Sequence, residues 1–297
     1  PTRRSSDLLV QGTKITADAF WQDFPVVAGK HLYGVSNFGG PWFDGSVFKM
    51  PIEADTVNAN SDKMDSADKN DSTGTSVKVG DISIEGANTD STIDISEYAK
   101  SGFKAKKPWF DKGIDVIDLP ERGPILAYVS YQNRDKDGHA HFDIAVSDTN
   151  KNQLTLTYLA DAIYPAFDKQ GSSIVFARRE PFSTRFVLSK VPFNADFSEY
   201  VSEDPIDLYV PDKTFRYYNI YSPKFSPNGK RIAFGFFDDK QRGIAVIDAD
   251  GQNFKVVSTE GFDERDVNWI DDDKIVFASN RNGIFNLFEK SLSTGVE

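Results

Sequence analysis

Residues 221–258 read Y-S-P-K-F-S-P-N-G-K-R-I-A-F, then a short polar connection, then G-I-A-V-I-D-A-D-G-Q-N-F-K-V-V-S. Lys224 and Phe225 close a short strand. Ser226, Pro227, Asn228 and Gly229 form a turn, because proline presets φ near −65° and Asn-Gly tolerates positive φ. From Arg231 to Phe237 the residues are mostly apolar and aromatic, as in a buried strand. Ile244–Ile247 is a second apolar run. Asp250-Gly251 turns the chain again, and Phe254–Val257 is a third run. Four short strands in meander order within about 40 residues make one blade of a β-propeller.

The pattern recurs. Phe167, Gly171, Ile174 and Phe176 have the mutual spacing of Phe225, Gly229, Ile232 and Phe234, each 58 residues earlier. Downstream, V-N-W-I-D-D-D-K-I-V-F-A-S-N-R-N-G-I-F-N-L-F repeats it with a turn one residue shorter, so that Trp269, Ile275 and Phe277 stand for Phe225, Ile232 and Phe234. Upstream, I-L-A-Y-V-S-Y-Q-N-R-D-K-D-G-H-A-H-F-D-I-A-V-S-D places Tyr128 where Phe234 stands. Tyr128, Phe176, Phe234 and Phe277 are therefore expected on equivalent second strands, buried between neighbouring sheets. Phe277, in the terminal copy, is expected to be less buried than the others.

On these residues the chain resembles the TolB-like, WD40-like β-propeller family, in which W/F-S-P-D-G-K-x-I-A-F is followed by S-x-R-x-G-x-x-x-I-Y. The resemblance covers roughly residues 109–297 and is strongest from 160 onward. It implies an all-β propeller and an exported, often periplasmic protein that holds protein or other ligands on a ring face. Prolyl-oligopeptidase-like serine hydrolases carry similar blades ahead of an α/β-hydrolase domain. In that alternative reading the catalytic Ser, Asp and His lie beyond Glu297.

Bulk composition narrows the partners. The 297 residues carry a net charge of −11, with a pI near 4.9. That argues against nucleic acid, since phosphate binding needs a basic patch. Protein, small-molecule or glycan ligands are compatible with it. Without cysteine, disulfides and thiolate metal sites are excluded. No apolar run approaches the ~20 residues of a membrane-spanning helix. The 24 Phe and 11 Tyr suit sheets packed face to face.

Taken in order, residues 1–8, P-T-R-R-S-S-D-L, match the translation of a common sequencing adapter end and are read as a scar. On that reading the natural N-terminus, with any export signal, is missing. Blades are expected at about 9–53, 109–159, 160–203, 205–258 and 261–297. These are five partial four-stranded antiparallel blades of an open ring that has six to eight when intact. Trp21, Phe24, Trp42 and Phe43 are read as packing residues. Residues 54–107, rich in Asp, Asn, Ser, Thr and Lys, are read as a polar, mobile insertion. Short strands are possible at Val77/Val79 and Ile82/Ile84, with Ser96 capping a short helix through Lys100.

Chemistry is sparse. Asn133, Asp135 and Asp137 before Gly138 resemble the start of a calcium loop, but position 12 is Ile144, and a solvated hairpin turn is the simpler reading. His139 and His141 share one face of a strand, which starts a zinc site only if a third ligand is found. The only other histidine, His31, is far off in sequence, so no metal or cofactor is expected. Asp271–Asp273 reads as a turn. There is no G-x-S-x-G, H-E-x-x-H or phosphate-binding glycine loop, and no catalytic motif. Blade geometry puts two kinds of loop on one face: those entering each innermost strand and those joining strands two and three. Arg178, Arg179, Arg216, Tyr217, Tyr218, Phe236, Phe237, Arg265 and Arg281 are the expected ligand-binding residues there. Aromatic and arginine side chains are the types that make binding hot spots.

Overall fold

In the computed structural model, residues 22–36, 46–51, 53–54, 77–79, 82–84, 101–197 and 204–296 are described. The adapter-like N-terminus, Trp21, Trp42, Phe43, the Ser96–Lys100 helix and most of the polar insertion lie outside them. All regular structure among the described residues is β, apart from one turn of 3-10 helix at Phe110–Lys112. The chain divides into two units, residues 1–101 and 102–297.

The first unit holds β1 (Gln22–Ala28), β2 (His31–Ser36) and β3 (Ser46–Pro51), an antiparallel meander in the order β1-β2-β3. A second small sheet joins β4 (Glu53–Ala54), β5 (Val77–Val79) and β6 (Ile82–Ile84) in the order β4-β6-β5.

The second unit is a row of antiparallel meanders. The first comprises β7 (Ile114–Leu119), β8 (Gly123–Ser130), β9 (Asp143–Asp148) and β10 (Gln153–Thr155). The next is β11 (Ala162–Phe167), β12 (Ser173–Arg179), β13 (Phe186–Pro192) and β14 (Ile206–Tyr209). The third is β15 (Asn219–Phe225), β16 (Arg231–Phe237), β17 (Arg242–Asp248) and β18 (Lys255–Val256). The fourth has three strands, β19 (Glu264–Trp269), β20 (Lys274–Ser279) and β21 (Asn286–Ser291). These are propeller blades, stacked face to face.

The turn residues do what their chemistry predicts. Ser226 Oγ accepts a hydrogen bond from the Arg231 amide and donates to Asn228 Oδ1. The Gly229 amide donates to the Ser226 carbonyl, with Gly229 at φ 72°. One blade earlier Asp168 takes the place of Ser226 and accepts from the Ser172 amide, with Gly171 at φ 65°. In the fourth blade the turn is shorter and has no glycine; Asp271 Oδ1 accepts from the amides of Asp273 and Lys274.

A shared irregularity marks the innermost strands. In β1, β11, β15 and β19 the pairing register skips two residues. The first of each skipped pair is left-handed: Phe24 at φ 51°, Tyr164 at 57°, Ser222 at 42° and Asp266 at 59°. The second is Pro25, Pro165, Pro223 or Val267. Proline has no amide to donate, so it fits where the ladder is already interrupted. By contrast β7 pairs without a break. Gly113, at φ 106°, precedes it, and a Cβ there would lie 2.9 Å from Tyr164 Cα.

Between blades the core is aromatic and aliphatic. Phe176 packs among Ile125, Ala127, Val129 and Ile144 of the preceding blade. Phe234 packs with Val175, Ala177 and Leu188, and Phe277 with Ala233, Ile244 and Val246. Tyr128 holds the same strand position and is buried, its hydroxyl accepting from the Lys106 amide 3.0 Å away. Phe277 is 1% exposed, as buried as the inner copies, contrary to expectation. The reason is direction. The rings of Phe176, Phe234 and Phe277 each pack against the preceding blade, so β16 and β17 set the burial of Phe277.

Phe234→Ala is expected to destabilise the chain by roughly 3–5 kcal/mol, the range for an aromatic cavity in a close-packed core, measured by chemical denaturation. The bulge generates a second expectation. Ser222→Val, a β-branched residue in a left-handed position, costs about 1–2 kcal/mol, whereas Ser222→Gly is neutral or stabilising. Equal melting temperatures for the two variants would contradict the strain at Ser222.

Candidate functional site

Antiparallel meanders send alternate connections to opposite ends of a blade. The loops between second and third strands (131–142, 180–185, 238–241, 280–285) therefore share a face with the loops entering each innermost strand (156–161, 210–218, 257–263). Contacts across blades confirm the grouping. Asp239, in the third blade, accepts from the amides of Arg216 and Tyr217 at 2.8 and 2.9 Å. The Thr184 hydroxyl donates to the Arg216 carbonyl, and Arg185 pairs with Tyr218 in an isolated bridge. Gln241 Oε1 takes the Gly261 amide at 3.5 Å.

Carboxylates beneath the loops hold them. Asp143, fully buried at the start of β9, accepts from Thr157 Oγ1, Asn133 Nδ2 and the amides of Leu159 and Ala160. Glu264, at the start of β19, accepts from Arg281, Ser279 Oγ and the Thr259 amide. A buried carboxylate persists only with such partners. Asn133 is thus committed to Asp143 rather than to a calcium loop.

The structure separates the expected ligand-binding residues into three groups. Arg179, Arg216, Tyr217 and Arg265 reach the surface. Arg216 lies over the Tyr217 ring at 5.2 Å and Arg265 over Phe285 at 3.9 Å. Arg179 is half-exposed, 3.7 Å from Asp161 and above Phe186. Arg178 and Arg281 are inward ties. Arg178 forms a bidentate pair with Asp207, Nη2 donating to Oδ2 at 2.7 Å and Nε to Oδ1 at 3.2 Å, and Arg281 joins Glu264 and stacks over Phe288. Tyr218 and Phe236 are buried and stacked with centroids 5.7 Å apart, and burial pushes the Tyr218 hydroxyl far above its ordinary range. Phe237 is partly buried beside them.

Other surface residues escaped the sequence reading. Tyr158, Phe182, Ile284 and Phe285 are exposed on this face. The signal was a lone large apolar side chain inside a polar inter-strand loop, as in E-P-F-S-T. Phe182 sits at φ 57° on the tip of an open depression bounded by Arg179, Thr184 and Lys213. Its loop is clamped by Arg185, which donates to Glu180 Oε2 and to the Phe215 carbonyl. Burial by itself would raise the Glu180 carboxyl; hydrogen bonds from Arg185 and Ser183 outweigh it and hold the pKa below the ordinary value.

The first blade contributes a charged hairpin. Its Asp135 would be raised by burial, but hydrogen bonds from the His139 amide, the His141 and His139 rings and the Asp137 amide lower it to about 2. His141, lowered by burial alone, is raised on balance by Asp135 and Asp161.

With this architecture in view, comparison with solved structures is decisive for the fold. A candidate TolB of Agrobacterium tumefaciens overlays 94% of this chain and 80% of its own, with TM-score 0.58 and 12% identity. The fold is that of a TolB-like β-propeller. Two hydrolases share it. A puromycin-hydrolyzing peptidase of Mycobacterium tuberculosis matches 91% of this chain at TM-score 0.52 and 13% identity. A puromycin hydrolase in complex with PGG matches 95% at 0.53 and 12%. This chain spans only 36% and 39% of those two proteins. No family model and no curated protein matches the sequence. The TolB-like fold places no constraint on chemistry, because propellers host many functions. Among the described residues no helix is long and apolar enough to cross a membrane.

The Glu180 clamp is testable. A depressed carboxyl contributes stability above its ordinary range and loses it as pH falls through the lowered value. Arg185→Leu should raise the Glu180 midpoint back toward the ordinary glutamate range in a carboxyl-carbon NMR titration. An unchanged midpoint would remove Arg185 as the cause.

Proposed function

We propose that this chain is a binding module rather than a catalyst. On this reading it belongs to an exported bacterial protein, periplasmic or at the cell surface, and holds a protein, small-molecule or glycan ligand on the face just described. One observation carries the reading: successive blades present exposed aromatic side chains on that face, Tyr158, Phe182, Tyr217 and Phe285, two of them beneath an arginine. Large amphipathic rings and guanidinium groups make binding hot spots when a partner excludes water from them. Arg178 and Arg281 serve as struts under the loops, and Tyr218 and Phe236 as the floor.

A second reading has its own support. The peptidase and the hydrolase are much longer than this chain and overlay it almost throughout, as expected if the propeller precedes a hydrolase domain. A G-x-S-x-G after a predicted strand downstream in the gene would favour it; a stop codon soon after Glu297 would favour the binding module.

Photo-crosslinking in cells tests the face itself. A photoreactive phenylalanine at Phe182 or Tyr217 is expected to capture one defined partner, and the same group at Lys230 or Asn253, on the opposite loops, is not. Equal capture at both ends of the blades would sink the assignment.

A further inference from the structure

We propose that the hairpin between β8 and β9 is a divalent transition-metal site, with Asp135, His139 and His141 as ligands and Zn²⁺ as the ion it fits. The inference stands apart from the identity of any ligand on the loop face and holds equally if the propeller precedes a hydrolase domain. The sequence offered two histidines without assigning them a third donor. The fold of the hairpin supplies one.

The turn is built around Asp135. Its amide donates to the His139 carbonyl at 3.0 Å, and the Gly138 amide donates back to the Asp135 carbonyl at 3.1 Å. Arg134 and Ala140 pair in an antiparallel bridge, and Arg134 Nη1 donates to the Gly138 carbonyl. Asp135 Oδ1 is used within the turn, accepting the amides of Asp137 and His139, both at 2.9 Å. Its other oxygen is left to the imidazoles. Oδ2 lies 3.2 Å from His139 Nδ1 and 3.3 Å from His141 Nε2.

Those two separations are the length of the edges of a metal polyhedron. Zinc–nitrogen and zinc–oxygen bonds of about 2.0–2.1 Å in a tetrahedron set ligand atoms about 3.3 Å apart. The Asp137 carboxylate, Asp135 and His139 bring ligand atoms within 4.8 Å of one another, and His141 joins this group through Asp135 Oδ2. His141 is also oriented from outside the hairpin. Its Nδ1 is 3.0 Å from Asp161 Oδ1, in the loop that enters β11. A carboxylate on Nδ1 holds a proton there, so an ion that displaces the Nε2 proton meets a fixed tautomer, the arrangement that typically supports a metal-binding histidine. Asp161 is shared with Arg179, so the site ties the first blade to the second.

The donor set also selects. Two imidazoles with carboxylates suit zinc and its neighbours in the first transition row. Calcium takes about 6–8 oxygen ligands, and Asn133, the nearest further oxygen donor in sequence, is bound to Asp143 instead.

The test uses the untagged full chain, stripped with a chelator and titrated with Zn²⁺ by calorimetry. One ion per chain is expected, with a rise in melting temperature that EDTA reverses and millimolar calcium does not reproduce. His139→Ala and His141→Ala should each weaken binding at least about ten-fold, and Asp161→Asn about 10–100-fold, as for other groups that orient a ligand. His31→Ala should leave it unchanged. The melting temperature of each variant in EDTA reports whether it has folded. Independently of any variant, Zn²⁺ should shift the ¹⁵N resonances of His139 Nδ1 and His141 Nε2 in the wild-type chain. No heat at about 100 μM Zn²⁺, undiminished affinity in the His139/His141 double alanine variant, unmoved imidazole resonances, or equal binding of calcium would each overturn the proposal.

Discussion

Everything in the second unit depends on one packing event, repeated: an aromatic ring from the second strand of each blade set against the sheet before it. Phe176, Phe234 and Phe277 are almost wholly buried in successive interfaces. Twisted sheets packed face to face leave space that small side chains cannot fill. A ring in each gap supplies apolar area and fixes the spacing between blades. Around Phe234 the contact extends across the interface to Tyr209, with centroids 6.1 Å apart, and on to Phe254, which stacks on Tyr209 at 4.2 Å.

The loop face inherits its order from that spacing. Blades held in register bring loops from different blades close enough for single side chains to join them. Asp239 reaches the amides of Arg216 and Tyr217, and His141 reaches Asp161. Asp143 and Glu264 work from below, each gathering several donors at the root of a loop. Loops anchored at the base can present aromatic side chains to water at the tip without collapsing onto the core. That division, polar anchors underneath and apolar tips above, suits the recognition surface proposed for this face.

The strained residues fit the same scheme. Left-handed Tyr164, Ser222 and Asp266 occur at one place in successive innermost strands. Each bulge releases two residues from the ladder and bends the strand. The strain is tolerated because the flanking register pairs and the neighbouring blade over-determine the backbone.

The sequence alone determined the architecture. The constant offset linking Phe167, Gly171, Ile174 and Phe176 to Phe225, Gly229, Ile232 and Phe234 reports a repeated hairpin. Hairpin turns and alternating burial are local consequences of residue type. Local rules also put Tyr128, Phe176, Phe234 and Phe277 in the core and named which loops share a face. They could not tell a surface arginine from a strut. Arg178 and Arg179 are adjacent, yet one is bound to Asp207, 29 residues on, and the other is half in water. Nor could they rank Tyr217 above Tyr218, since strand phase at the end of a bulged strand decides which ring is buried. The His139–His141 pair shows the same limit at a chemical site: Asp135 is supplied by the local turn, but the orientation of His141 depends on Asp161 from the next blade. Contacts of that kind are made by packing between elements far apart in the chain, and only the tertiary structure decides them.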